Sequence, residues 1–285
     1  MRVRTFGAIE AGGTKFVCGV GTGPDDLKTV RIPTTTPSET IAAAVEFLRA
    51  AAPAALFNMA SVGIGSFGPV KDGWITNTPK PGWRNVDLAG EVSRALDIPV
   101  GFDTDVNAAA LAETEWGAAR GLSSCLYLTV GTGIGGGAIF NGSPLHGLMH
   151  PEMGHIRIPS DGRPGVCPFH GDCLEGLASG PAIAARWGEP AEELPPGHPA
   201  WDEEAHYLAL AVANFALTLG PAKVILGGGV MRQLQLFPLI RGEFAKLLNN
   251  YLPVPDDYIV PPGLGDRAGV LGALLLARRA IGCML

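Results

Sequence analysis

Charge is scarce in this chain. Asp, Glu, Lys and Arg make up 17% of its 285 residues, with a net charge of −6. No basic cluster stands out from that acidic balance, which argues against nucleic acid as the main partner. No apolar run reaches the length needed to cross a bilayer. The opening MRVRTFGAIEAGG lacks the apolar core and small-residue cleavage site of an export leader. A cytoplasmic protein with no membrane partner is therefore expected. Cysteine is sparse too, with five in all. Without an export route, cysteines close in sequence point to a metal rather than a disulfide. Cys18, Cys125 and Cys283 lie in apolar runs and read as small core residues. Low-complexity tracts are missing, so the 40 glycines and 24 prolines mark tight turns and ligand loops rather than disorder.

What is present is concentrated. Residues 149–176, MHPEMGHIRIPSDGRPGVCPFHGDCLEG, hold two of the five cysteines and three of the six histidines. Cys167, His170 and Cys173 follow at three-residue steps, with His155 upstream. Two thiolates and two imidazoles are the ligand set of a closed tetrahedral Zn²⁺ site. His146 and His150 compete with His155 for the fourth position. Glu152 and Glu175 are interleaved with the ligands, and a metal saturated by Cys and His does not need them. The loop therefore presents acids to something else.

A hydrophobic share of 47% and this length allow two domains, each with its own core. FGAIE (6–10) and FVCGV (16–20) read as strands joined by Gly12, Gly13, Thr14 and Lys15. Such a loop exposes N–H groups and a hydroxyl to phosphate, although a plain hairpin explains it equally well. Residues 38–52 predict a helix with Ser38 as N-cap. ASVGIGSFGPV (60–70) predicts a buried strand, completing a βαβ order. NTPKPGW (77–83) reads as a rigid loop with polar and aromatic contacts for a small polar ligand. In 98–121 a strand ends at Asp103-Thr104-Asp105, where an Ala-rich helix begins and Asn107 sets an amide beside the acid. Functional groups of open α/β sheets gather at such strand ends, and a helix N-terminus favours a carboxylate. Either acid would also serve as a simple N-cap.

CLYLTVGTGIGGGAIF (125–140) repeats the strand–loop–strand pattern with Thr132 and Gly133, as internal duplication would. A Rossmann reading fails, because a strand follows the loop where a helix should open. Pro181 opens a helix within 177–188, and 204–220 is a long apolar helix. KVILGGGVM (223–231) is a strand opening into Gly227, Gly228 and Gly229, where a flat ring can lie on bare backbone. The final 269–280 reads as an amphipathic helix packing back on the body.

Five ordered motifs, EAGGTK, DTDVNAAALAE, VGTGIGGG, EMGH through CPFHGDCLEG, and LGGGVM, resemble the ROK family of sugar kinases and repressors over nearly the whole chain. The resemblance implies an α/β, two-domain actin-like ATPase (ribonuclease H-like) fold with a zinc-binding loop. Residues 1–118 would form the first domain, 119–268 the second, and 269–285 would return to the first. The first motif leaves no room for the helix-turn-helix of the repressor branch. EAGGTKFVC, GSFGP and the C-x2-H-x2-C spacing are similar to the bacterial fructokinase branch, whereas many glucokinase members carry C-x-C-x5-C.

By that resemblance Asp105 is the catalytic base, and Glu152, His155 and Glu175 hold sugar hydroxyls. Asn107 counts with them as substrate-binding. Gly12, Gly13, Thr14 and Lys15 meet the nucleotide phosphates on one side, and Thr132 and Gly133 on the other. Pro181 and Gly227 to Gly229 line base and ribose. His155, Cys167, His170 and Cys173 ligate a structural Zn²⁺. The implied activity is phosphorylation of a hexose by ATP with Mg²⁺, with fructose at its 6-hydroxyl ahead of mannose, glucose or an N-acetylhexosamine. A non-catalytic sugar-sensing module is the farther alternative. A homodimer is expected, its face drawn from the apolar helices at 204–220 and 269–280.

Overall fold

The computed structural model describes residues 4–51 and 59–282. They divide into two compact units. Unit 1 takes the chain up to Glu113, the segment His146–His150, and everything from Asp266; unit 2 takes Thr114–Leu145 and Pro151–Gly265. Cys283, expected in the core, lies outside the described residues.

In unit 1, β1 (Thr5–Ala11), β2 (Lys15–Gly21) and β3 (Lys28–Pro33) form an antiparallel meander. Helix α1 (Pro37–Ala51) then leads to β4 (Met59–Ser66), which pairs parallel with β1. A small hairpin follows, β5 (Val70–Lys71) and β6 (Trp74–Ile75), then α2 (Leu88–Leu96). Strand β7 (Val100–Thr104) runs parallel to β4 and delivers the chain into α3 (Asp105–Trp116). The sheet order is β3-β2-β1-β4-β7. The N-cap of α1 is Thr36, and not Ser38. Its hydroxyl accepts from the Glu39 N–H at 3.4 Å and donates to Glu39 Oε2 at 2.9 Å. This capping box leaves Pro37 at the first helical position, where the missing N–H costs nothing. The aromatic of the 77–83 loop is structural: Trp83 is fully buried between Phe16 and Phe67 and donates from Nε1 to the Thr35 carbonyl at 2.9 Å.

Unit 2 repeats the plan. It contains β8 (Ser124–Val130), β9 (Ile134–Phe140), β10 (Ser143–Pro144), α4 (Leu174–Ala178), α5 (Gly180–Trp187) and α6 (Ala200–Leu219). Then come β11 (Val224–Gly227), α7 (Leu236–Leu248) and β12 (Ile259–Val260). The order β10-β9-β8-β11-β12 again joins an antiparallel meander to two parallel strands. In each unit a three-residue Gly/Thr loop joins the first two strands of the meander, Gly12–Thr14 or Gly131–Gly133.

The last helix, α8 (Ala268–Ala280), belongs to unit 1. It is buried on every side from Ala268 to Ala277 rather than amphipathic. Glycines let its backbone lie directly on the sheet. A Cβ at Gly63 of β4 would stand 1.8 Å from the Ala273 carbonyl oxygen, and one at Gly101 of β7 2.2 Å from that of Leu276. A helix so enclosed offers no dimer face. Helix α6 turns most of its apolar side inward and exposes Asp202, His206 and Asn214 together with Leu217. No helix among the described residues is long and apolar enough to cross a membrane.

Candidate functional site

In unit 1 the first Gly/Thr loop is closed by Gly12 N–H donating to the Lys15 carbonyl at 3.0 Å. It is braced from β3's end, where the Thr34 hydroxyl donates to the Gly12 carbonyl at 2.7 Å. A Cβ at Gly12 would come within 2.8 Å of the Lys15 carbonyl oxygen, whereas Gly13 is open, and Thr14 and Lys15 are exposed. Glu10 precedes the loop on the strand FGAIEA. Its carboxyl is pressed on α8 at Gly269, and its Oε2 is buried without a hydrogen-bond partner. Burial first, and then the charge of Asp105, push Glu10 up to about 7.

Asp105 is the first residue of α3 and half-buried, and its Oδ1 accepts from the Val106 N–H at 2.9 Å. Asp103, two residues earlier, is buried, and its Oδ1 accepts from Thr104 N–H (2.7 Å) and Asn107 Nδ2 (2.8 Å). The same oxygen meets His146 Nε2 at 3.1 Å. Asn107 is fully buried, and its amide nitrogen meets both Asp103 Oδ1 and, at 3.2 Å, His146 Nε2.

In unit 2 the Cys/His loop draws its four ligand atoms within 4.8 Å of one another: His155, Cys167, His170 and Cys173. His155 Nδ1 lies 3.7 Å from Cys167 Sγ and 3.5 Å from Cys173 Sγ, and His170 Nδ1 lies 3.8 Å from Cys167 Sγ. A tetrahedral Zn²⁺, with bonds of about 2.3 Å to sulfur and 2.0 Å to nitrogen, would hold S and N about 3.5 Å apart. The donor set and its spacing thus fit that ion. His146 and His150 belong to unit 1 and are outside the cluster. A two-bond turn, with Cys167 and Gly171 exchanging N–H···O contacts at 3.2 and 2.9 Å, shapes the knuckle. Gly171, at φ 62°, takes the left-handed conformation that this turn requires.

Glu152 precedes the short 3-10 turn Met153–His155. Gly154 is required there, because a Cβ would stand 1.8 Å from the Ile134 carbonyl oxygen of β9. Glu175, in the first turn of α4, accepts from the Ile134 N–H at 3.0 Å through Oε2. Ser179 accepts from Ala182 N–H to start α5, with Pro181 in its first turn. The Gly180 N–H donates to the Gly131 carbonyl at 2.8 Å. Gly228, at φ 95°, would carry a Cβ 2.3 Å from the Val130 carbonyl oxygen, and a Cβ at Gly131 would lie 3.7 Å from the Gly229 nitrogen. The Gly131–Gly133 loop thus lies against Gly180, which precedes Pro181, and Gly229, with Glu175 alongside.

Sequence reasoning passed over Glu10 and the Asp103–His146 contact. Glu10 had a signal, a carboxylate inside an otherwise apolar strand. The His146 contact spans 43 residues and had none.

A family model described as ROK family matches residues 6–280. The chain is 45% identical to a fructokinase of Zymomonas mobilis, covering 97% of each. The structure of a ROK hexokinase from Thermus thermophilus aligns with a TM-score of 0.84 at 30% identity, over 97% of this chain and 99% of that one. A ROK family glucokinase from Streptomyces griseus, in complex with glucose and AMPPNP, aligns with a TM-score of 0.78 at 27% identity, over 96% and 99%.

Proposed function

The chain belongs to the ROK family, and from that membership we infer its chemistry: it is an ATP-dependent fructokinase, a transferase that makes fructose 6-phosphate. The observation that carries this is the full-length match to fructokinases. In our reading Asp105 accepts the proton of the sugar's 6-hydroxyl as its oxygen attacks the γ-phosphorus of MgATP. The positive end of the helix dipole at α3 favours the ionised form of a carboxylate placed there. The N–H groups of Gly12, Gly13 and Thr14 and the charge of Lys15 would face the phosphates, with Thr132 and Gly133 doing the same in unit 2. Pro181 and Gly227–Gly229 would flank base and ribose. Phosphoryl transfer needs positioning more than covalent chemistry, which suits a chain whose motifs are loops.

Glu152, His155 and Glu175 would hold the sugar's hydroxyls, and Asn107 would act through Asp103. Zn²⁺ held by His155, Cys167, His170 and Cys173 would serve as a structural staple. Because the two cysteines face His155 Nδ1, its Nε2 would remain for the sugar, so the metal would fix the ring that orients substrate.

A coupled ADP-release assay with MgATP and fructose, glucose, mannose or N-acetylglucosamine tests the reading. Turnover greatest on fructose is expected, and Asp105→Asn should lose about 10²–10⁴ in kcat while still binding fructose. Near-full turnover in Asp105→Asn would remove it as the base, and turnover greatest on another hexose would correct the substrate.

A further inference from the structure

His146 has no part in the roles above, yet it is held in an unusual way. The buried carboxylate of Asp103 takes its Nε2 at 3.1 Å, and Asp103 is itself fixed by Thr104 N–H and Asn107 Nδ2. The Asn107 amide also stands 3.2 Å from the same ring nitrogen, and its buried Oδ1 has no partner. Buried polar groups are rarely left in that condition by purely structural packing. The short segment that carries the ring is inverted with respect to hydrophobicity. Leu148 is 101% exposed and Met149 is 52% exposed, whereas His150 is buried. Leu148 and Met149 therefore do not anchor His146–His150 in unit 1, whereas the His146–Asp103 contact ties it there.

A latch alone would not need a half-exposed imidazole, and 48% of the His146 side chain is open. In a neutral ring, donation from Nε2–H to the Asp103 carboxylate leaves Nδ1 as an acceptor. Asp103 lies at the carboxyl end of β7, two residues before Asp105, where open α/β sheets gather their ligands.

We propose that His146 is a sugar-contacting residue: Asp103 fixes the imidazole through Nε2, and Nδ1 accepts a hydrogen bond from a hydroxyl of the hexose bound beside Asp105. Asp103 and Asn107 are then positioning residues. The proposal rests on the fructokinase reading, and its test keeps the two separable.

His146→Gln retains an N–H for Asp103 near the position of Nε2 but removes the Nδ1 acceptor. His146→Asn does the reverse, with Oδ1 near the position of Nδ1. Fructose affinity is measured by calorimetry and by KM in wild type and both variants, with melting temperature alongside. His146→Gln is expected to melt as wild type does while its fructose Kd and KM rise about tenfold, the value of one hydrogen bond. His146→Asn is expected to recover part of that affinity even with a lowered melting temperature. Wild-type fructose affinity in His146→Gln would overturn the proposal and reduce the imidazole to a latch. So would equal loss of affinity in both variants in step with loss of stability. Failure of the wild-type protein to phosphorylate fructose would instead bring down the functional reading beneath it.

Discussion

Glu10 lies next to Asp105 in electrostatic terms, and burial has already cost it its ordinary acidity. Its value of about 7 stands above the 4.5 of an ordinary glutamate. The folded chain therefore holds a proton that the unfolded chain releases near 4.5. The stabilisation from that proton is complete below about pH 4.5 and is lost as pH rises through about 7. A gap of this size corresponds to at most about 3 kcal/mol. Glu204, fully buried on α6, is raised in the same direction, so the whole-protein slope is shared. Glu10→Gln isolates one share: its melting temperature should fall less between pH 5 and pH 8 than the wild type's. Parallel melting curves across that range would show that Glu10 titrates normally. The acid itself was visible in the strand FGAIEA, but its environment was not. Burial against Gly269 comes from a helix more than 250 residues away in sequence. The same distance problem left three histidines competing for one metal position, and only the folded loop separates His155 from His146 and His150.

At the scale of elements, the Cys/His knuckle and the second glycine loop form one mechanical unit. Cys173 immediately precedes α4, whose Glu175 grips the Ile134 N–H, and the turn after α4 grips Gly131 through Gly180 N–H. Burial raises the Cys173 thiol above its ordinary value, so a bound cation is what would keep it a thiolate. Stripping Zn²⁺ with a chelator should release residues 150–176 and, through α4, the Gly131–Gly133 loop. Affinity for fructose should fall, and KM for MgATP should rise with it. Hydrogen exchange should quicken in residues 130–136 as well as in the knuckle. Intact fructose binding in protein verified as zinc-free would break the link to the sugar. Unchanged exchange at 130–136 would break the link to the loop. The Cys/His cluster was legible because its spacing is local and the chemistry of the set is specific. The contact of Glu175 with Ile134 crosses 41 residues, and periodicity carries no trace of it.

For the whole molecule, duplication was legible and closure was not. The two Gly/Thr hairpins announce themselves because their glycines sit where strands must turn within three residues, and both sheets share one strand order. Pattern alone read the last helix as amphipathic and packing back on the body. In the structure Arg278 donates to the Thr22 carbonyl and lies over the Phe6 ring, and the first ten residues of the helix are buried on all sides. The reason lies in glycine: Gly63, Gly101 and Gly272 each remove a Cβ that would strike backbone within 2.2 Å. Unit 1 thus depends on both ends of the chain, while unit 2 is built from its middle. Gly63→Val should destabilise by more than the ~1–3 kcal/mol of ordinary overpacking, because carbonyl backbone cannot yield as a side chain does. Hydrogen exchange should then quicken in β1, β4, β7 and α8, while the protection of β8, β9 and β11 and the zinc content stay at wild-type levels. Uniform loss across both units would mean that they unfold as one cooperative body, and wild-type protection in β4 would mean that α8 can lift away from the sheet at little cost.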